Sequence, residues 1–277
     1  MKARLAYHAN CWGPLGGNAV GVTSVSELTY RTFGDVAQAI AEIGALGYQG
    51  VELFDGNLLD YEARQPELRA LLGGAGVNLV AVYSGANFIF PDILGEELVR
   101  IARAADAAAA FGAEHLVVGG GAKRFDGLKS DDHQRLGEGL EKVVAIAKAR
   151  GLKAHYHPHL TTIVEGPADV DRIFSLTSID FCPDTAHLAA AGGDVPAIIR
   201  KHRDRISYVH LKGWSKQPFA FTPLDRGDLD MSAILHALVD IDFRGWITAE
   251  LDSWPDPKDG AAMSLGFLRS ALAHASR

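Results

Sequence analysis

The sequence predicts an α/β fold in one domain, residues 1–277, built as a single (β/α)8 TIM barrel. Short apolar runs alternate strictly with amphipathic stretches at helical spacing, eight of each. Parallel strands need crossovers, and helices supply them. Eight such units at this length favour a closed barrel over an open sheet. Several of the helical stretches stop at a glycine, which takes left-handed backbone without steric cost. No Gly-x-Gly-x-x-Gly follows the first run, so an open dinucleotide-binding sheet lacks its fingerprint.

The first strand covers residues 4–9 and its helix 33–46, where Val36, Ile40 and Ile43 share a face and Gly47 is the stop. Strand two is 50–54, with helix 60–73 after it. Strand three is 77–83, and its helix, 95–111, stops at Gly112. Strand four is 115–119. The glycine-rich "VVGGGA" (117–122) lacks the Lys-Ser/Thr of a phosphate-binding loop and reads as a tight turn. Helix four, 132–150, has Leu136, Leu140, Val143 and Ala147 on one face and Gly151 past its end. Strand five, 152–157, ends at Pro158, which cannot donate to a ladder, and helix 167–176 follows. The last three units pair strand 178–182 with helix 194–203, strand 206–211 with helix 230–240, and strand 245–250 with helix 260–275. The segment "GWSKQPFAFTPLDRGDLD" (213–230) is long, aromatic and rich in turn residues. Long loops in compact domains are usually functional. Following strand seven, it is expected to form a partial lid, with Trp214 and Arg226 as candidate substrate contacts.

Composition narrows the function classes. The chain is 48% hydrophobic and 22% charged, enough to bury a large core, and carries a formal net charge of −7. A nucleic-acid binder usually shows a basic footprint, and the longest basic run, "RKHRDR" (200–205), contains Asp204. No apolar run approaches the ~20 residues of a membrane helix. The N-terminus lacks the apolar stretch of a signal peptide. Two cysteines, Cys11 and Cys182, make no disulfide framework. The expectation is a cytoplasmic enzyme with neither nucleic acid nor membrane as partner; a homo-oligomer is compatible with everything in the chain.

In such a barrel the active site lies where strands deliver their C-terminal ends. Strand one delivers His8 and Asn10, strand two Glu52, strand five His157 and His159, strand six Asp184 with His187, strand seven His210 with Lys212, and strand eight Glu250. Strands five to eight are neighbours, about 4.8 Å apart. His157, Asp184, His210 and Glu250 can therefore converge on one ion. Two imidazoles and two carboxylates without thiolate suit a divalent metal. They lean the choice toward Mn2+, with Co2+, Mg2+, Fe2+ and Zn2+ as alternatives. Each residue also has a structural reading. His155, deeper on the same face, reads as a core histidine bonded to a neighbour. Glu52 alone could pair with a lysine, and Asp184 alone could cap a helix.

The motifs "YHPHLTTIVE", "CPDTAHLAAAGGD", "RISYVHLKGW" and "GWITAEL" resemble those of the sugar phosphate isomerase/epimerase superfamily, the xylose isomerase-like barrels. Within it they are most similar to the inosose (2-keto-myo-inositol) dehydratases. The resemblance implies Asp184, His210 and Glu250 as metal ligands and His187 as a substrate contact. The chain departs at strand five, where related ketose epimerases carry a glutamate and this one has His157. Glu165, further along that loop, is the alternative ligand or a substrate contact, beside His8, Asn10 and Glu52. The implied activity is a metal-dependent lyase acting on a keto-cyclitol or keto-sugar through an enediolate. His159 or Glu250 would be the base, and His187 or Lys212 the acid. An isomerase or 3-epimerase of a free ketose is the alternative.

Overall fold

The computed structural model describes residues 3–16 and 28–275. Eight parallel strands form its central sheet: β1 (Arg4–His8), β2 (Gly50–Phe54), β3 (Asn78–Ala86), β4 (His115–Gly120), β5 (Lys153–Tyr156), β6 (Asp180–Phe181), β7 (Tyr208–Leu211) and β8 (Trp246–Ala249). They pair in the order β6-β5-β4-β3-β2-β1-β8-β7. The seam between β6 and β7 is closed by a parallel bridge between Asp184 and His210, with the His210 amide donating to the Pro183 carbonyl at 3.0 Å. The (β/α)8 expectation is borne out.

The crossover helices are α1 (Val36–Leu46), α2 (Gln65–Ala75), α3 (Pro91–Ala110), α4 (Asp132–Lys148), α5 (Pro167–Phe174), α6 (Val195–Lys201), α7 (Met231–Asp240) and α8 (Pro257–Ala275). Caps explain several boundaries. Asp35, Asp194 and Asp230 each accept an amide hydrogen in the first turn of α1, α6 and α7, a contact worth ~1 kcal/mol. Gly47 ends α1 at φ 98° and Gly151 follows α4 at φ 73°, left-handed values that a side chain resists. Pro66 and Pro91 sit in the first turn, so α2 starts later and α3 earlier than periodicity suggested. Strand six is shorter than expected: it starts at Asp180, and Pro183, just beyond its end, has no amide hydrogen to pair.

Three features escaped the sequence reading. Short helices Asp55–Leu59 and Thr185–Ala190 follow β2 and β6 directly. The lid loop contains an antiparallel hairpin, Gly213–Ser215 against Ala220–Thr222. Most of the core lies between the strands and the helices, while a smaller cluster containing Ala6, Val80, Val117, Cys182 and Trp246 lies apart from it. Among the described residues no helix is long and apolar enough to cross a membrane.

Candidate active site

Strand geometry brings four side chains to one point. His157 follows β5, Asp184 follows β6, His210 lies in β7 and Glu250 follows β8; all are buried, and one donor atom from each lies within 4.8 Å of the others. One ion with bonds of roughly 2.0–2.4 Å can span such a set. The donors suit a cation for a second reason. Both ring nitrogens of His157, Nδ1 of His210, Oδ2 of Asp184 and Oε2 of Glu250 are buried without a hydrogen-bond partner. Buried polar atoms are normally satisfied, so converging orphans of this kind mark a place for a positive charge. His210 Nδ1 and Glu250 Oε2 face each other at 2.6 Å.

Glu52 explains the orientation of His210. Its Oε2 lies 2.8 Å from His210 Nε2 and accepts a hydrogen bond from the Tyr208 hydroxyl at 2.5 Å. Nε2 therefore donates to Glu52, and Nδ1 faces the cluster, the usual arrangement behind a metal-bound histidine. Burial alone would lower the His210 pKa. The carboxylates of Glu52 and Glu250 outweigh burial and push it up to about 10, so Nδ1 holds a proton against Glu250 unless a cation takes that proton's place. Glu52 itself is fully enclosed. The expectation of a substrate contact there is corrected: the glutamate sits behind His210, with its other oxygen 3.8 Å from His8 Nε2.

One buried lysine lies against the carboxylates. Lys212 Nζ lies 3.4 Å from Asp184 Oδ2, 3.1 Å from Glu250 Oε1 and 3.0 Å from Asp252 Oδ1. Burial would strip its proton, but Asp184, Asp252 and Glu250 prevail and hold its pKa well above the ordinary value. Glu250 is held well below the carboxylate range, where Lys212 and His210 outweigh burial. Asn10 donates to Glu250 Oε1 and Asp252 Oδ1, each at 3.2 Å. Asp184 Oδ1 accepts the His187 amide at 2.8 Å, so one oxygen caps the short helix and the other faces the cluster.

His159 stands beside the cluster on the cavity wall, its ring 3.7 Å from that of His187 and 6.0 Å from that of His157. Its Nδ1 lies 2.7 Å from the Leu160 carbonyl. A carbonyl only accepts, so Nδ1 carries the proton and Nε2 keeps its lone pair. Burial, then His157, lowers its pKa. The turn that holds it is strained: Thr161, β-branched, has φ 69°. Burial keeps His187 well below its usual pKa, and its ring packs on Phe221 of the lid hairpin at 5.0 Å. His155 pairs with His115 at 2.9 Å, which confirms it as a core histidine.

The cavity beside these groups measures ≈ 570 Å3, within the span of small-molecule sites. Several expected residues do not line it. Glu165 is drawn away to an ion pair with Lys123, which leaves His157 as the strand-five member of the cluster. Arg226 is exposed on the far arm of the lid loop, and Trp214 faces Phe219. The cavity wall includes Asp252, Tyr83, Arg100 and Asn87, none of which the sequence reading singled out. Asp252 was the accessible one, because it lies two residues past Glu250 and so has the same strand parity.

The profile of the xylose isomerase-like TIM barrel matches residues 40–271. The chain belongs to that family. An inosose dehydratase from Geobacillus kaustophilus is 28% identical over 251 residues, covering 79% of this chain and 80% of that one. Another, from Salmonella typhimurium, is 34% identical over 151 residues, 47% of this chain and 50% of the relative. Among solved structures, an L-ribulose 3-epimerase aligns with a TM-score of 0.75 at 19% identity, over 99% of this chain and 96% of its own. A probable 3-DHS dehydratase from Bacillus anthracis aligns at 0.72 and 15%, over 97% and 99%. At these identities the structural likeness speaks for the fold.

Proposed function

We propose that this family member is a metal-dependent lyase that removes water, or another β-leaving group, from a keto-cyclitol or keto-sugar. The observation that carries the reading is the pairing of a cation-demanding His-Asp-His-Glu cluster with a neutral histidine, His159, at the same cavity. The inosose dehydratase relatives point to the same chemistry. His157, Asp184, His210 and Glu250 would hold the ion. We place Mn2+ first because the set mixes two imidazoles with two carboxylates. A divalent ion bound there supplies Lewis acidity that makes the proton beside a ketone easier to remove.

The chain's own residues do the rest. His159 Nε2, with its lone pair free, takes the α-proton. Lys212, held charged by three carboxylates, delivers a proton toward the departing β-hydroxyl, with His187 Nε2 at 3.5 Å from its Nζ as the neighbour that positions it. Asn10 and Asp252 orient Glu250 and Lys212 and offer polar atoms to substrate hydroxyls. The atoms balance: the α-hydrogen and the β-hydroxyl leave as the elements of water, and a carbon–carbon double bond forms. We place the enzyme in the cytoplasm, on the strength of its two buried free thiols, Cys11 and Cys182.

The ketose isomerase or 3-epimerase reading keeps the ion and the enediolate but returns the proton. Two opposed glutamates would serve it best, and His157 with Glu165 turned toward Lys123 leaves Glu250 without that counterpart. Incubating the metal-loaded protein with keto-inositols and 3-keto-glucosides, read by mass spectrometry, separates the readings. A lyase yields products lighter by water or an aglycone, and conserved mass with a new stereoisomer supports the alternative. Binding without any turnover removes both.

A further inference from the structure

Three aromatic rings, Tyr83, Phe54 and Tyr30, line the cavity next to the cluster. Tyr83 borders the cluster, with its ring 5.4 Å from that of His157. Phe54 lies 5.6 Å from Tyr83, and Tyr30 lies 5.3 Å from Tyr83 and stacks on Phe54 at 5.8 Å. Exposure rises from 6% at Tyr83 and 9% at Phe54 to 37% at Tyr30, so the rings run from the buried cluster toward the mouth.

The backbone holds these rings in place. Asp55 Oδ1 accepts the Tyr30 amide at 2.8 Å, and the Gly56 amide donates to the Tyr30 carbonyl at 3.0 Å. A Cβ at Gly85, in β3, would collide with the Tyr30 ring, and one at Gly119, in β4, with the Tyr83 hydroxyl. Glycine permits both close approaches. Polar side chains on this part of the wall are turned to the protein. Away from the cluster and Asp252, the charged residues on the described wall are Arg31, Glu97 and Arg100. Arg31 pairs with Asp60 and Arg100 with Asp55, and Glu97 accepts the backbone amides of Asn87 and Phe88. A polyol against the rings would give up water for few free partners, which costs free energy. A flat apolar group there meets ring faces and edges.

We propose that Tyr83, Phe54 and Tyr30 form an aromatic subsite for the leaving group, and that the substrate is a keto-glycoside carrying an aryl aglycone. The proposal rests on the lyase reading for its chemistry and decides which β-group departs. The keto-sugar ring lies over the cluster, and the aglycone lies along the three rings. In a 3-keto-glycoside the carbon β to the ketone is the anomeric carbon, so the glycosidic oxygen is the leaving atom. His159 takes the α-proton. The bond from the anomeric carbon to the glycosidic oxygen breaks, its electron pair leaves with the oxygen, and a carbon–carbon double bond forms in the sugar ring. The oxygen gains a proton, and the aglycone departs as a phenol.

Calorimetric titration of the metal-loaded protein with phenyl and methyl glucosides, each as both anomers, tests the subsite apart from the chemistry, because a glucoside without the ketone has no acidic α-proton to lose. The phenyl glucoside should bind at least ~10-fold more tightly, about what burial of one phenyl ring gives. Tyr30→Ala should remove most of that gain with metal content unchanged. Tyr30→Phe, which keeps the ring, should retain it. Equal affinity for the two glucosides, binding of neither, or an unchanged phenyl preference in Tyr30→Ala overturns the subsite. So does a preference lost in Tyr30→Phe, which would make the hydroxyl the recognition group. With phenyl 3-keto-glucoside the wild type should release phenol, and faster loss of water from keto-inositols overturns the leaving-group assignment. Phenyl binding that depends on Tyr30 without release of phenol or water leaves the subsite standing and sinks the lyase. Dehydration of keto-inositols without any phenyl preference does the reverse.

Discussion

Asp184 and His210 form the backbone bridge that closes the barrel, and their side chains are two of the four donors in the buried cluster. The seam between β6 and β7 is otherwise thin, since β6 spans only Asp180–Phe181. An ion held by both residues would tie the seam together through side chains where the ladder is weakest.

Metal should therefore stabilise the fold. At an ion concentration 100-fold above Kd, linkage predicts about 2.7 kcal/mol of added stability. The Tm of the wild type should rise on adding Mn2+ and fall on adding chelator. The Tm of Asp184→Ala or His210→Ala should not respond, and neither variant should retain metal by elemental analysis. Full metal content in either one would refute the ligand assignment.

His159 and His157 should separate base from ligand. His159→Gln leaves the cluster intact, so it should keep metal while losing about 10²–10⁴ in rate, the usual general-base contribution. Its pH–rate profile should also lose a limb. His157→Gln should weaken metal binding, with activity partly restored by excess ion. The reverse pattern would exchange the two roles.

Glu52→Gln should reveal the buried partner of His210. The amide can turn its NH2 toward Nε2 and reverse the tautomer, so metal affinity should drop by about 10–100-fold. Chelator competition measures this directly. Affinity equal to wild type would show that His210 is oriented by something else.

Acid should destabilise the protein partly through His115. Burial is the largest cause that lowers its pKa to about 4, against an unfolded value near 6.5. The folded imidazole thus refuses a proton that the unfolded one accepts. Stability is complete above pH ~6.5 and declines as pH falls toward ~4, by up to about 3 kcal/mol. Urea midpoints between pH 7.5 and 4.5 should fall less steeply in His115→Gln, by the equivalent of about one proton. Parallel slopes would mean that His115 titrates normally in the folded protein.

Periodicity and strand parity are local properties, and they make much of this protein legible in its sequence. The helical spacing of Val36, Ile40 and Ile43, the stops at Gly47 and Gly151, and the donors at the ends of strands five to eight were all read from neighbouring residues. Parity alone put His155 and His157 on one face, one in the core and one at the rim. Contacts across the barrel were decided by tertiary structure. Glu52 meets His210 158 residues away, Lys212 meets Asp252 40 away, and Arg100 meets Asp55 45 away. Such pairings depend on how far each strand is staggered against the next and on the angle at which each helix returns, and no single segment encodes either. The same geometry turned Glu165 aside: eight residues past His157 in the chain, it lies where a lysine from the strand-four loop reaches it and the cluster does not.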